Sequence, residues 1–133
     1  MEETKFRAWT EEGEVMYYDV YPFKDDTLLL SYDEISFDEV PASDFILMQS
    51  TGLKDKNDKE IYEGDIIKYK KYNYGFTYTN AVGYGTVGLI KNNDKIGLIS
   101  TFAGMSIENI DLSSVKVVGN IYENPELFEK RAV

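Results

Sequence analysis

Acidic and amide side chains with the alternation of a calcium-binding loop stand at Asp55 and Asn57, within a charged turn. A helix–loop–helix calcium loop needs glycine at its sixth position and glutamate at its twelfth. Counted from Asp55, those positions hold Glu60 and Ile66. The spacing therefore excludes this kind of calcium loop, and we expect no metal and no cofactor here.

A second kind of chemistry would use Glu60, Glu63 and Asp65 as paired carboxylates for acid–base or metal-assisted hydrolysis. No other chemically active residue type accompanies them, and the same residues serve as turn and cap residues. The 133-residue chain has no histidine and no cysteine, which excludes Ser-His and Cys-His mechanisms and disulfide bonds. We predict that the protein is not an enzyme and that these carboxylates are structural.

A basic and aromatic segment is the candidate interaction surface. It combines lysines with aromatic residues at alternate positions: Lys68, Lys70, Lys71, Tyr72, Tyr74, Phe76 and Tyr78. Alternation places the four aromatic residues on one face if the segment is extended. Stacking residues beside cations are typical of nucleic-acid binding. The same pattern also fits a protein contact or an interior face, and both interpretations stay open.

Charge is unevenly distributed along the chain. Residues 1–50 hold 3 basic and 13 acidic residues, a net −10, whereas residues 51–133 hold 11 of each. An acidic surface repels nucleic acid and anionic lipid. It is either a solvated face or a surface that meets a basic protein or mimics nucleic acid.

Several short strands are predicted in the first part of the chain. Lys5–Thr10 and Val15–Asp19 should form a hairpin around a turn in which Gly13 takes a positive φ, and Pro22 should end that pair. Thr27–Ser31 is predicted to be a buried strand. Asp33–Val40 fits an exposed edge strand or a loop equally well.

The rest of the chain is also predicted to be mostly strand. The expected strands cover residues 45–50, 65–72, 83–91, 95–102 and 115–121, and a short helix is expected from Asn124. Glycines at 83, 85 and 88 within one strand indicate bulges or the tight corners of a small barrel. We predict a mainly β protein of the β-rich α+β type, with an acidic N-terminal subdomain over residues 1–44 and a β-barrel over residues 45–133 that could share one core.

One long motif resembles the hallmark of the YopX family of bacteriophage and prophage proteins. Its residues are Thr51, Gly52, Leu53, Lys54, Asp55, Asn57, Glu60, Ile61, Tyr62, Glu63, Gly64 and Asp65. The opening Lys5-Phe6-Arg7-Ala8-Trp9 and the ending from Val118 to Leu127 look similar to those of the family. Asp58 departs from the pattern, because the family usually has glycine after the Asn.

The resemblance implies a small, cytoplasmic, phage-encoded protein that is mostly β and has no assigned activity or catalytic residues. By the same resemblance of pattern, Glu63-Gly64-Asp65 before one strand and Gly85 and Val87 on a later one look like an SH3-like barrel.

The expected function is that of a non-enzymatic accessory protein, a protein-interaction or homo-oligomerisation module that has no membrane partner. The alternative is a nucleic-acid-binding accessory factor that uses the Lys68–Tyr78 segment. No run of 18 apolar residues and no signal peptide are present, so we expect the cytoplasm of a bacterial host. The molecular activity and the identity of any partner do not follow from the residues.

Overall fold

Strands dominate the protein, which a computed structural model describes over residues 4–70, 72–74, 77–79, 83–90, 95–99, 105–106 and 110–127. The chain divides into two units, one up to Ser50 and one from Thr51 onward. The boundary that we predicted from sequence lay between Asp44 and Phe45. It lies later because residues 46–49 at the start of strand β6 pair with strand β1 of the first unit.

The first unit contains five strands and the start of a sixth. They are β1 (Phe6–Thr10), β2 (Val15–Tyr17), β3 (Val20–Lys24), β4 (Thr27–Leu30), β5 (Asp38–Pro41) and β6 (Ile46–Lys54). A short 3-10 turn, Ala42–Asp44, precedes β6. Strand β1 lies between β2 and β6 and is antiparallel to both.

The predicted N-terminal hairpin is confirmed. Ala8 pairs with Tyr17 and Thr10 with Val15 across the β1–β2 turn. Gly13 has a φ of 86°, the left-handed conformation that glycine adopts without a steric cost.

A three-stranded antiparallel sheet in the order β3-β4-β5 follows the hairpin. The prediction that Pro22 ends the strand pairing is wrong, because Pro22 lies within β3 and pairs with Leu28. Proline is tolerated on an edge strand, where its missing N–H is not needed by a neighbour. The register shifts between Pro22 and Lys24, which is a further mark of an edge.

The core of the first unit follows from the alternation in this sheet. Val20, Leu28, Leu30 and Ala8 are buried together. Val20 pairs with Leu30, and Pro22 pairs with Leu28, so these residues share the inner face. Burying one such aliphatic side chain stabilises the fold by about 1.5–3 kcal/mol.

The second unit continues β6 and adds eight strands within its described residues. They are β7 (Glu60–Tyr62), β8 (Asp65–Tyr69), β9 (Tyr72–Tyr74), β10 (Thr77–Thr79), β11 (Gly83–Ile90), β12 (Lys95–Ile99), β13 (Met105–Ser106) and β14 (Lys116–Asn120). Five of them form an antiparallel sheet in the order β13-β12-β11-β8-β14. Strand β6 is followed in its sheet by β7, and β9 pairs with β10.

Strand β8 carries the core of the second unit. Ile67 is fully buried and pairs with Gly85 on one side and Val117 on the other. Ile61 and Val115 complete the centre of this cluster, both with no exposed surface. On β8 itself, Lys68 lies between the buried residues Ile67 and Tyr69 and is exposed.

A short helix from Asn124 is predicted at the C-terminal end of the chain. Residues 125–127 are helical, and the N–H of Leu127 donates to the carbonyl oxygen of Asn124 at 3.1 Å. The remainder of the predicted helix lies outside the described residues and stays a prediction. None of the helices in the described part of the chain is long and apolar enough to cross a membrane.

Candidate functional site

Asp55 is the residue of the long motif that accepts the most backbone hydrogen bonds among those described. The carboxylate of Asp55 is buried, with the residue 7% exposed, and accepts three backbone hydrogen bonds. The N–H groups of Asn57 and Lys59 donate to Oδ1 at 2.8 and 2.9 Å, and the N–H of Val117 donates to Oδ2 at 2.9 Å. The N–H of Lys56 also donates to the carbonyl oxygen of Val115 at 2.8 Å. Asp55 therefore holds the turn after β6 against the start of β14.

The hydrogen bonds of Asp55 also set its acidity. Burial raises the pKa of the Asp55 carboxyl, but the N–H groups of Val117, Lys59 and Asn57 and the nearby Lys59 ammonium together outweigh burial. The net effect holds the pKa below its usual value. Both carboxylate oxygens of Asp55 accept hydrogen bonds from backbone N–H groups. The spacing that resembles a calcium loop therefore serves to hold the turn.

Thr51 and Gly52 lie within β6, and Thr51 links this strand to β7. The hydroxyl of Thr51 donates to the carbonyl oxygen of Ile61 at 2.7 Å and accepts from the N–H of Leu53 at 3.1 Å. Gly52 has a φ of 78°, a conformation that L side chains rarely adopt. This pair accounts for the Thr-Gly-Leu start of the motif.

The Glu63-Gly64-Asp65 turn leads into β8. Gly64 has a φ of 84°, its N–H donates to the carbonyl oxygen of Val87 at 2.9 Å, and its carbonyl oxygen accepts from the N–H of Ile121 at 3.0 Å. Asp65 is 1% exposed, and its Oδ2 accepts from the N–H of Tyr62 at 2.8 Å. Gly64 and Asp65 thus link β7, β8 and β11 to the residue that follows β14.

The other motif residues frame this network. Ile61 and Tyr62 are buried, Leu53, Glu60 and Glu63 are half-buried, and Lys54 and Asn57 are exposed. Within the described ranges, no group of three or more potential metal ligands is placed to hold an ion. Of the acidic residues of the motif, Asp55 lies in the turn after β6 and Asp65 at the start of β8, and both accept hydrogen bonds from backbone N–H groups.

The basic and aromatic segment is partly described. Lys68 and Lys70 are exposed. Strands β9 and β10 form an antiparallel hairpin in which Tyr78 pairs with Asn73 and Tyr74 with Thr77. The aromatic residues at 72, 74 and 78 therefore lie on two paired strands, and a face shared by all four aromatic residues stays a prediction. Lys71 and Phe76 lie outside the described residues.

Lys68 has a different set of neighbours from those predicted. Across the sheet, Lys68 pairs with Lys116 on β14 and with Tyr84 on β11. Both lysines are exposed and Tyr84 is half-buried. Directly paired residues of antiparallel strands point to the same face, so we define Lys116, Lys68 and Tyr84 as the lysine–tyrosine row.

An exposed apolar patch lies in the first unit and was not singled out from the sequence. We define the apolar patch as Tyr21 (39% exposed), Phe23 (51%), Ile35 (86%) and Phe37 (47%). The rings of Tyr21 and Phe37 lie 5.9 Å apart. Tyr21 pairs with Leu29, which alternates with the inner-face residues Leu28 and Leu30, so Tyr21 lies on the outer face of the β3-β4-β5 sheet.

The turn that carries Ile35 is held by side-chain hydrogen bonds. The N–H groups of Ile35 and Ser36 donate to Oδ1 of Asp33 at 2.9 and 3.0 Å. The N–H of Glu34 donates to the hydroxyl of Ser31 at 2.8 Å, and Glu34 has a φ of 66°. The Ser36 and Ile35 N–H groups hold the pKa of the Asp33 carboxyl below its usual value. These hydrogen bonds fix the backbone conformation at Ile35, whose side chain is exposed.

Comparison with known proteins identifies the family. The sequence profile of the family described as YopX protein matches residues 5–129. The chain belongs to the YopX family. No curated protein matches the sequence.

Two solved structures are similar to this chain. The crystal structure of protein EF1440 from Enterococcus faecalis is 22% identical and has a TM-score of 0.62, covering 96% of this chain and 99% of its own. The X-ray structure of protein yopX from Bacillus subtilis is 21% identical and has a TM-score of 0.53, covering 92% of this chain and 96% of its own. At these identities the likeness establishes the fold.

Asp58, the departure from the YopX pattern, has a φ of 65°. An L residue in this conformation carries a steric cost that glycine avoids. We expect Asp58→Gly to raise the free energy of unfolding by about 0.5 kcal/mol, measured by urea denaturation.

Asp58→Ala is the matched control for this substitution. Both variants remove the exposed Lys54–Asp58 ion pair (3.6 Å), but alanine keeps a side chain at positive φ. We expect Asp58→Ala to be destabilising by about 1 kcal/mol. Equal effects of the two substitutions would contradict a conformational origin.

Proposed function

We propose that this YopX-family protein is a non-enzymatic accessory protein of phage or prophage origin that acts in the bacterial cytoplasm by contacting other proteins. The observation that carries the proposal is the apolar patch. Large apolar side chains that are grouped and exposed mark interaction sites, whereas isolated ones do not. The side chains of Ile35 and Phe23 are more than half exposed although the unit has a buried core of its own.

The second unit is proposed to be an SH3-like barrel that supports this role. Its antiparallel order β13-β12-β11-β8-β14 and the Gly64-Asp65 entry into β8 support this assignment. A small barrel is a scaffold that serves many functions, so the assignment adds no activity.

The double substitution Ile35→Ser/Phe37→Ser tests the interaction function. We expect the tagged wild-type protein, expressed in a bacterial host that carries the surrounding phage genes, to retain at least one protein that the double variant retains about 10-fold less or not at all. Quantitative mass spectrometry of the retained proteins measures this ratio. Both residues are exposed, so we expect the fold to be unaffected.

Val15→Ser is the matched control. Val15 is also exposed, at 37%, but lies on β2 and outside the apolar patch. The control should retain the same proteins as the wild type. Identical retained sets for all three proteins would contradict the proposal.

Self-association is one form that the protein contact can take. The 11 tyrosines and 7 phenylalanines support it, because aromatic residues are enriched in interfaces. Light scattering coupled to size-exclusion chromatography tests this form. A mass that stays that of a single chain at high concentration would count against it.

Nucleic-acid binding is the second candidate function, and the lysine–tyrosine row favours it. Lys68 and Lys116 are like charges opposite each other on paired strands, an arrangement that an anion would stabilise. An adjacent tyrosine offers a surface for stacking.

Lys68→Glu/Lys116→Glu tests this second candidate. We expect single-stranded DNA or RNA to bind the wild type with an affinity that falls as salt is raised, and the variant to bind at least about 10-fold more weakly. Fluorescence anisotropy at two salt concentrations measures both effects. Absence of salt-sensitive binding to either nucleic acid would eliminate this candidate.

A further inference from the structure

Exposed carboxylates flank the residues of the apolar patch along the chain. Over residues 21–39 the chain carries six acidic residues and one lysine, a net −5. The acidic residues are all exposed: Asp25, Asp26, Asp33, Glu34, Asp38 and Glu39. Each apolar residue after Tyr21 has carboxylates close by in the chain, with Asp25 two residues beyond Phe23, Glu34 beside Ile35 and Asp38 beside Phe37.

The lysine in this segment is already engaged. The ammonium group of Lys24 lies 3.8 Å from a carboxylate oxygen of Glu39 and 5.4 Å from the ring centroid of Phe23. Glu39 pairs with Leu29, which pairs with Tyr21, so Glu39 shares the outer face with Tyr21. The outer face thus combines apolar surface with the Lys24–Glu39 ion pair, and the net −5 of the segment comes from the exposed carboxylates that lie beside it in the chain.

Electrostatic complementarity decides which occupant fits this face. A second copy would bring the same apolar patch with the same carboxylates, and juxtaposed like charges disfavour association. Nucleic acid and anionic lipid are repelled for the same reason. A positively charged segment of another protein would be attracted to the carboxylates while its apolar side chains cover the patch.

We propose that the apolar patch binds a lysine- or arginine-rich segment of another protein that also carries at least one large apolar side chain. The proposal rests on the proposed interaction function and adds the chemistry of the partner. Ile35 is the main anchor, since it is 86% exposed and its turn is already held by Asp33 and Ser31. A preformed turn reduces the entropy that binding would otherwise cost.

The partner chemistry is tested with a randomised library of displayed peptides of about 12 residues. The wild-type protein is the bait, and Ile35→Ser/Phe37→Ser removes peptides that bind elsewhere. We expect the enriched peptides to have a net positive charge and to contain at least one large aliphatic or aromatic residue. The most enriched peptide is then synthesised as the probe for anisotropy measurements.

The affinity of this peptide should depend on both parts of the surface. We expect Ile35→Ser to weaken binding by about 10- to 100-fold, as for the loss of a buried aliphatic contact. Glu34→Lys/Glu39→Lys should weaken binding at least about 5-fold, and a rise from about 0.05 to 0.5 M salt should do the same for the wild type. Val15→Ser should bind like the wild type.

The other outcomes overturn the partner chemistry. Enriched peptides that are neutral or acidic, or binding that is insensitive to salt, would show that charge does not select the partner and would leave the interaction function intact. A dimer that Ile35→Ser dissociates would assign the patch to a second copy. A selection without patch-dependent peptides would overturn this inference, whereas the proteins retained from the host test the interaction function separately.

Discussion

Replacing Asp55 with alanine is expected to lower the free energy of unfolding by about 3–5 kcal/mol. The carboxylate of Asp55 accepts from the N–H groups of Asn57, Lys59 and Val117, and alanine leaves these donors without an acceptor. The bond from Val117 is buried and the bonds from Asn57 and Lys59 are half-buried, and a buried N–H that loses its acceptor costs about 1–3 kcal/mol. Urea denaturation followed by circular dichroism measures the change.

Asp33→Ala is the matched control for this prediction. Asp33 also accepts from two backbone N–H groups, those of Ile35 and Ser36, but it lies in an exposed turn. Water can solvate those donors when the carboxylate is removed, so we expect a much smaller loss of stability. Similar losses for the two variants would mean that the burial of Asp55 does not matter.

The pH dependence of stability provides a second measurement on Asp55. Since its pKa is lower in the folded protein than the usual 3.8, its contribution to stability is fully present above pH 3.8 and is lost as the pH falls through the folded pKa. The wild type should therefore lose its advantage over Asp55→Asn on acidification below that value. A stability difference that stays constant from neutral pH to pH 2 would contradict the role of the ionised carboxylate.

Features encoded by local chemistry were predictable from the sequence. The β1–β2 hairpin and the positive φ of Gly13 follow from alternation and turn residues. Strands β11 and β12 follow from the apolar runs predicted as strands over residues 83–91 and 95–102, and the YopX motif identified the family. The hydrogen bond from the N–H of Val117 to Asp55 was not predictable, because Val117 is 62 residues away in sequence.

The main surface candidate was missed because its signals depend on strand order. Pro22 suggests the end of a strand unless that strand is known to lie at an edge of its sheet. Ile35 and Phe37 alternate as they would in a strand with one buried face, but the alternation does not tell which face is covered. The pairing of β3 with β4 places Val20, Leu28 and Leu30 on the inner face of the sheet, which leaves Tyr21 on the outer face.

Gly83 is expected to tolerate no side chain, because the ring of Tyr69 occupies the place of its Cβ. Gly83 pairs directly with Tyr69 across β8 and β11, and a Cβ built on Gly83 would lie 2.5 Å from Cε2 and 2.7 Å from Cζ of Tyr69. Tyr69 is 4% exposed and belongs to the core of the second unit, so its ring has little room to move. We expect Gly83→Ala to lower the free energy of unfolding by about 1–3 kcal/mol, as measured by urea denaturation.

A double-mutant cycle with Tyr69→Leu separates this steric cause from an effect on the backbone. Gly83 does not have a positive φ, so alanine fits the strand conformation and has the higher strand propensity of the two. In the Tyr69→Leu background the cost of Gly83→Ala should therefore fall below about 1 kcal/mol or become a gain. The same cost in both backgrounds would show that the tyrosine ring is not what selects glycine. Aromatic residues laid over a cross-strand glycine stabilise sheets, and this pair joins β8, the strand entered from the YopX motif, to β11.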